Sequence, residues 1–378
     1  MDHDDDDDDE KEKERILLKF KKAVIATGGR PSIPSLSSSS SSPIPGIDTA
    51  PYVTNEQLFN LQALPPRMVI LGGGVIALEM AQAFATFGSK VTVLARSRIL
   101  SNGDDEAANL MKKIMQEEDN ITFYSKTDVL EVETLRQPTL GGGEGGEESL
   151  PLMKVSIKST ESEEAITEEL ECECLLIATG RLPNVQNLGL EKANVQYDER
   201  KGIHINDLAQ STSNPNVYAV GDCVANVPRL THMSGEMAKV VVQNALFEDE
   251  WKVSSLVVPA CMYTEPEYAT VGRVKFSDEK DEVDVYTTSL EHNDRAILDG
   301  DSNHGVVKIC CQKGTDTIVG CTIVAPRAGE MINEVSLAMK YGIGLGQIGR
   351  NIHCYPTTGE AIMMCGLQFI NARWKRLD

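Results

Sequence analysis

The sequence has no apolar run near the roughly 18 residues that a membrane-crossing helix requires, which excludes that class of span. Its first residues, MDHDDDDDDEKEKER, are too acidic for a secretory or transit peptide. Positive charge is scarce: 36 Lys and Arg stand against 57 Asp and Glu, a net −21. A surface so acidic repels phosphate backbones and anionic lipids, so nucleic-acid and membrane-surface roles are not expected. Paired CxxC motifs with zinc-ligand spacing do not occur, and no metal site is expected. The nine cysteines are an odd number in a long chain, which favours reduced thiols in an intracellular, soluble protein over a disulfide framework.

What is present suffices for two or three domains: 378 residues, 41% of them hydrophobic. Three low-complexity stretches punctuate the chain, at residues 2–15, SLSSSSSSP at 35–43 and GGGEGGEE at 141–148. All three read as solvated surface, the last as a hairpin loop. Between the second and third, MVILGGG, VIALEMAQAFATFG and KVTVLAR read as strand, turn, helix and strand. DVLEVETL and PLMKVSIKS alternate as a small antiparallel insertion before a buried strand, ECLLIATG. The final third offers VDVYTTSL, VVKICCQ and IVGCTIVA as strands, then AGEMINEVSLAMKYG, whose Met331, Val335, Ala338 and Met339 share one helical face. The expected plan is α/β first and α+β second.

In LGGGVIALE, Gly72, Gly74 and Ala77 fill the three small positions of G-x-G-x-x-G/A, directly after a strand and opening a helix. That arrangement suits a dinucleotide pyrophosphate at the helix N-terminus. At the end of the next strand, where an NAD site wants a carboxylate, VTVLARSR offers Arg96 and Arg98. Two guanidinium groups suit a 2′-phosphate, so NADPH is favoured with NADH possible; the competing reading is a pair of solvated loop residues.

Two further motifs recur or pair. ATGGRP at 26–31 carries Thr27 and Gly28, and ATGRLP at 178–183 repeats it with Thr179 and Gly180. VYAVGDC at 217–223 runs an apolar strand into Gly221 and Asp222, which places a carboxylate where a sugar-alcohol hydroxyl can approach. In this order the motifs resemble the class I pyridine nucleotide-disulfide oxidoreductases, from about residue 20 to the C-terminus. MYTEPEYATVG at 262–272 and QAFATFGSKVTVLARS at 82–97 look most like mercuric reductase and its relatives.

The resemblance implies Rossmann-like FAD and NAD(P) domains and a C-terminal α+β dimerisation domain. The implied division is 1–54 as an FAD-domain remnant, 55–181 for NAD(P)H, 182–252 as the second FAD part, and 256–378 as the interface that builds a homodimer. It makes the two ATG motifs the crossings between the nucleotide domains, gives Asp222 the flavin ribitol, and gives Glu79 a lysine partner beside the flavin. The family's opening glycine-rich unit and C-x4-C pair are not in this sequence, so the expectation is a chain lacking that opening segment. Electrons would pass from NADPH to FAD and on to a thiol, disulfide or metal acceptor. Competing readings are a non-catalytic NADPH-binding dimer and a cysteine-independent flavin reductase of quinones or oxygen.

The family's His-Pro-Thr motif with its glutamate appears here as Tyr355-Pro356-Thr357 with Glu360, a change mercuric reductases share. Tyrosine, with an ordinary pKa of about 10, is a poor base near neutrality. His353 is the substitute proton carrier or a structural residue; if the segment is a strand, His353 and Tyr355 share a face. Cys310-Cys311 on its strand, Cys172 with Cys174, Cys354 and Cys365 all read as buried core thiols.

Overall fold

The computed structural model describes residues 18–34, 44–138, 149–161, 164–247, 249–276, 283–301 and 305–374. The three low-complexity stretches, including the proposed hairpin loop at 141–148, lie outside the described residues.

Near the start, β1 (Ala23–Ile25) and β2 (Gly29–Pro31) flank the first ATG motif. A parallel α/β layer follows, in which β3 (Arg67–Leu71), α1 (Val75–Phe87), β4 (Lys90–Leu94), α2 (Asp105–Glu117) and β5 (Thr122–Tyr124) run in sequence. The chain then forms a meander of β6 (Thr127–Arg136), β7 (Leu152–Ser159) and β8 (Ile166–Cys172) before returning as β9 (Cys174–Ile177). The parallel order is β5-β4-β3-β9, with Met68 opposite both Val91 and Cys174. These strands are covered on both faces, which is why they read as continuous apolar runs. On one side lie Leu78 and Ala81 of α1 with Met111 and Met115 of α2; on the other, Val132, Met153, Val155 and Ile157 of the meander. In β7 the alternation of Met153, Val155 and Ile157 with lysines follows from a strand buried on one face.

The second ATG motif leads into β10 (Arg181–Pro183), then a small hairpin of β11 (Tyr197–Asp198) with β12 (Gly202–Ile203), and β13 (Val217–Ala219). Strand β1 pairs parallel with β13, and β2 pairs antiparallel with β10. Helix α3 (Thr231–Leu246) covers β13 with Met233, Met237 and Val240.

The last third is an antiparallel sheet of β14 (Pro259–Met262), β15 (Glu267–Gly272), β16 (Val283–Ser289), β17 (Val306–Gln312) and β18 (Ile318–Ala325), in the order β14-β15-β18-β17-β16. Among the described residues four α-helices accompany it: α4 (Asp294–Asp299), α5 (Ala328–Tyr341), α6 (Leu345–Ile348) and α7 (Glu360–Trp374). Met331, Val335 and Ala338 of α5 pack with Ile362 and Cys365 of α7 over Ile309, Cys321 and Ile323.

Candidate coenzyme and redox site

The glycine turn after β3 distinguishes its glycines by geometry. Gly72 has φ +133, and a Cβ there would lie 2.3 Å from the carbonyl oxygen of Ala178. Its bareness is therefore demanded by the neighbouring strand end. Gly74, with φ −89, caps α1, and a Cβ there would meet nothing within 4 Å. No side chain caps the helix and no acid stands in its first turn, so its leading N–H groups face open space. Such an N-terminus attracts a phosphate. Ala77 is fully buried and lets α1 sit close on the sheet.

The two arginines expected at the 2′ end separate. Arg96 is exposed at the end of β4 and has no hydrogen bond or ion pair among the described residues. Arg98 is instead committed to its own loop, donating to the carbonyls of Ile99 and Leu100 (2.9 Å each) and Gly103 (2.8 Å) and pairing with Asp105. Of the two expected phosphate donors, Arg96 is thus exposed, while Arg98 is bonded to the carbonyls of its own loop.

Glu79, one turn along α1, accepts the backbone N–H of Tyr263 at 2.8 Å. Gln82, a turn further, donates to the Glu265 carbonyl and accepts its N–H, both at 2.7 Å. One face of α1 is thus fastened to the turn between β14 and β15, a role for Gln82 that the sequence did not signal.

The two ATG motifs clasp each other. Thr27 donates to the Asn184 carbonyl and Thr179 to the Ser32 carbonyl, both at 2.6 Å. Gly28 and Gly180 both have positive φ, +69 and +125, and a Cβ at either would meet nothing within 4 Å. Beside them, Asp222 follows Gly221 in a short 3-10 turn, and its Oδ2 accepts Arg181 Nε at 3.0 Å. Arg181 also donates to the Gly29 carbonyl at 2.7 Å, so one guanidinium joins both crossings to the carboxylate. The sequence reading missed Arg181; its place directly after Gly180 was the available signal. Asp222 Oδ1 carries no hydrogen bond among the described residues, leaving it open for a polyol hydroxyl.

At the far end the expected arrangement changes. Residues 351–359 form no strand, so His353 and Tyr355 do not share a strand face. His353 is clamped between the Asn351 carbonyl (3.2 Å) and Glu334 of α5 (3.0 Å), which fits the structural reading better than a free shuttle. Tyr355, 71% exposed, donates to Asp294 of α4 at 2.6 Å. That hydrogen bond raises its pKa, with the Asp294 and Glu360 charges acting in the same direction, so the phenol keeps its proton near neutrality. Glu360 does not back Tyr355; it accepts the Thr357 N–H at 3.2 Å at the start of α7.

Burial pushes the thiols of Cys172, Cys174, Cys261 and Cys311 up to about 12 and those of Cys310 and Cys365 up to about 11. Such thiols are inert as nucleophiles. Cys310 and Cys311 are both buried, and a register shift in the β17–β18 ladder falls between them. Cys354 is exposed, correcting the expectation of a core thiol, because its loop lies outside the sheet. No cluster of His, Cys, Asp or Glu among the described residues has metal-site geometry, and no helix among them is long and apolar enough to cross a membrane.

Residues 3–238 match the model of the pyridine nucleotide-disulphide oxidoreductase family, and 258–364 match that family's dimerisation domain. The chain belongs to this family, whose members use FAD and NAD(P)H. It is similar to a mercuric reductase of Lysinibacillus sphaericus, 30% identical over 95% of this chain and 61% of the relative. It is also similar to a dihydrolipoyl dehydrogenase of Staphylococcus aureus, 32% identical over 91% and 67%. The HOCl-induced flavoprotein disulfide reductase of Escherichia coli, solved as a Cu(II) complex, shares the fold: TM-score 0.73 and 26% identity, over 90% of this chain and 72% of that one. The chain thus spans about three fifths to two thirds of the length of these two curated relatives.

Proposed function

We propose that the protein is an FAD- and NADPH-dependent oxidoreductase that works as a homodimer and delivers electrons to a thiol, disulfide or metal-ion acceptor. The observation that carries this reading is the open N-terminus of α1 under Gly74, with Arg96, which has no partner among the described residues, just past the end of the adjacent strand. Gly74 gives the coenzyme pyrophosphate access to the α1 amides. Arg96 supplies paired donors for a 2′-phosphate. Gly221 and the free oxygen of Asp222 receive the flavin ribitol, while Arg181 holds the carboxylate in place. FAD, when bound, supplies the two-electron relay between the coenzyme and the acceptor. Tyr355, its O–H held by Asp294, presents its phenol oxygen as a hydrogen-bond acceptor on the acceptor side.

The family relatives support the cofactors, and the dimerisation domain supports the homodimer. Titration of the purified protein with NADPH and with NADH, alongside its absorbance near 450 nm, tests the proposal. Tighter NADPH binding together with flavin absorbance is expected. NADPH bound no more tightly than NADH would sink the coenzyme reading, and NADPH binding without flavin in the protein isolated from its source would favour a non-catalytic coenzyme-binding dimer.

A second reading follows from the thiols. Seven cysteines are pushed well above the range of reactive thiols, including Cys321, which is fully buried. A flavin reductase of quinones or oxygen that uses none of them is consistent with that chemistry. It predicts turnover that survives Cys354→Ser.

A further inference from the structure

The loop between β4 and α2, residues 95–104, carries Arg96 as its second residue and is shaped by the C-terminal sheet. Lys308 on β17 reaches Asp104 Oδ2 at 2.7 Å and Glu106 Oε2 at 2.8 Å. Both partners in the first of these pairs are withdrawn from water, the Lys308 side chain 17% and Asp104 9% exposed. The other oxygen of Asp104 accepts the Ala107 N–H at 2.9 Å and caps α2. Lys275, just beyond β15, donates to the Ser101 carbonyl at 2.7 Å. Tyr268 of β15 lies so close to Gly103 that a Cβ there would fall 2.2 Å from its hydroxyl.

The loop does not hold this shape cheaply. Leu100 has φ +46, a region that costs a non-glycine residue free energy and persists only where surroundings impose it. The imposing contacts are Arg98, which gathers the loop's carbonyls from within, and the two lysines, which hold it from the neighbouring sheet.

We propose that Lys308, with Lys275, is a positioning residue for coenzyme selection: the C-terminal sheet fixes the loop that aims Arg96, and thereby sets the preference for a 2′-phosphate. The inference rests on the reading of Arg96 as the phosphate donor. Burial works against the Lys308 charge, and the hydrogen bonds it donates to Asp104 and Glu106 outweigh it, so the ammonium stays charged. Because Lys308 lies 202 residues from Glu106, the coupling is invisible to local sequence. It also makes coenzyme preference responsive to anything that moves the C-terminal sheet.

The test uses Lys308→Met, which removes the charge and keeps much of the side-chain bulk, with 2′,5′-ADP and 5′-AMP as calorimetric probes. Wild-type protein should bind 2′,5′-ADP the more tightly. In Lys308→Met the affinity for 2′,5′-ADP should fall by about tenfold, that for 5′-AMP by less than about twofold, and amide exchange across 97–103 should quicken. Lys308→Arg should restore most of the affinity. Unchanged 2′,5′-ADP binding, with or without faster exchange, would overturn the proposal. Equal binding of both probes by wild type, with exchange still accelerated in the variant, would locate the failure in the Arg96 reading and overturn selection by this loop. If Lys308→Met does not fold, Lys275→Met at the loop's exposed side must show the same selective loss, and its absence would refute the anchor.

Discussion

Two glycines separated by one residue should fail in opposite ways when each is given a methyl group. In Gly72→Ala the new Cβ would sit 2.3 Å from the Ala178 carbonyl oxygen at a φ of +133. The backbone conformation costs about 1–3 kcal/mol for a residue with a side chain. Forcing strand ends apart adds about 1–3 kcal/mol. The sum, about 2–6 kcal/mol, corresponds to a fall in Tm on the order of 5–20 °C for a unit of this size. Gly74→Ala meets no atom within 4 Å and has an ordinary φ of −89, so its cost is that of a poorer helix cap, about 0.5–1 kcal/mol. Its methyl group instead enters the space a pyrophosphate would occupy. Differential scanning fluorimetry and NADPH titration on both variants separate the two effects. Gly72→Ala should melt early, while Gly74→Ala should melt close to wild type and bind NADPH at least about tenfold more weakly. Normal NADPH affinity in Gly74→Ala would refute the cradle, and a wild-type Tm in Gly72→Ala would refute the steric argument.

Arg96→Glu should weaken NADPH by about ten- to hundredfold, the worth of one charge-assisted hydrogen bond, and NADH much less; equal losses measured by titration would end the 2′-phosphate assignment. Arg98→Met should lower Tm while changing the NADPH to NADH ratio less than Arg96→Glu does, since Arg98 is spent on the loop carbonyls. Asp294→Asn should bring the Tyr355 phenol back down toward its ordinary value, read as the tyrosinate absorbance lost on further change of Tyr355→Phe; an unmoved titration would break the Tyr355–Asp294 pair. A hydrogen bond from Arg67 holds the Glu173 carboxyl below its usual 4.5, so the pair's contribution is complete above that pH and is lost as acid passes through the lowered value. Glu173→Gln should therefore lower stability at neutral pH and flatten its decline in acid, as followed by urea unfolding across pH.

Legibility in the sequence followed the range of the interactions. The strand-turn-helix at 67–87 and the strand IVGCTIVA were readable because burial on two faces, or on a clean helical stripe, writes itself as local pattern. Helix α7 was not read: Ile362, Cys365 and Ile370 are buried while Met364 is exposed, so apolar residues surround it without a sharp stripe. Helix α3 hides in a VVV run that favours strand by propensity, and β8, interrupted by Glu168, Glu169 and Glu171, carries no strand signal until β7 pairs with it. Arg96 and Arg98 are indistinguishable in the sequence because what separates them is which carbonyls the loop turns inward. Likewise, Tyr355 and His353 find Asp294 and Glu334 on other elements, and no spacing announces either pairing.

The repeated ATG motif shows how a local pattern can encode a distant constraint. Each threonine hydroxyl answers a carbonyl of the opposite crossing, and β2 lies antiparallel to β10 with Pro31 opposite Arg181. A single crossing would leave the parallel layer free to swivel about one strand. Two crossings, bonded reciprocally and tied by Arg181 to Asp222, act as one rivet. The rivet fixes the distance between the Asp222 carboxylate and the glycine turn through the Gly72–Ala178 contact, where β9 delivers the second motif. On the proposed function, two nucleotide sites exchanging a hydride would need such a fixed distance, because transfer demands near-contact of the reacting atoms. A motif repeated at both crossings would then hold that distance from both sides.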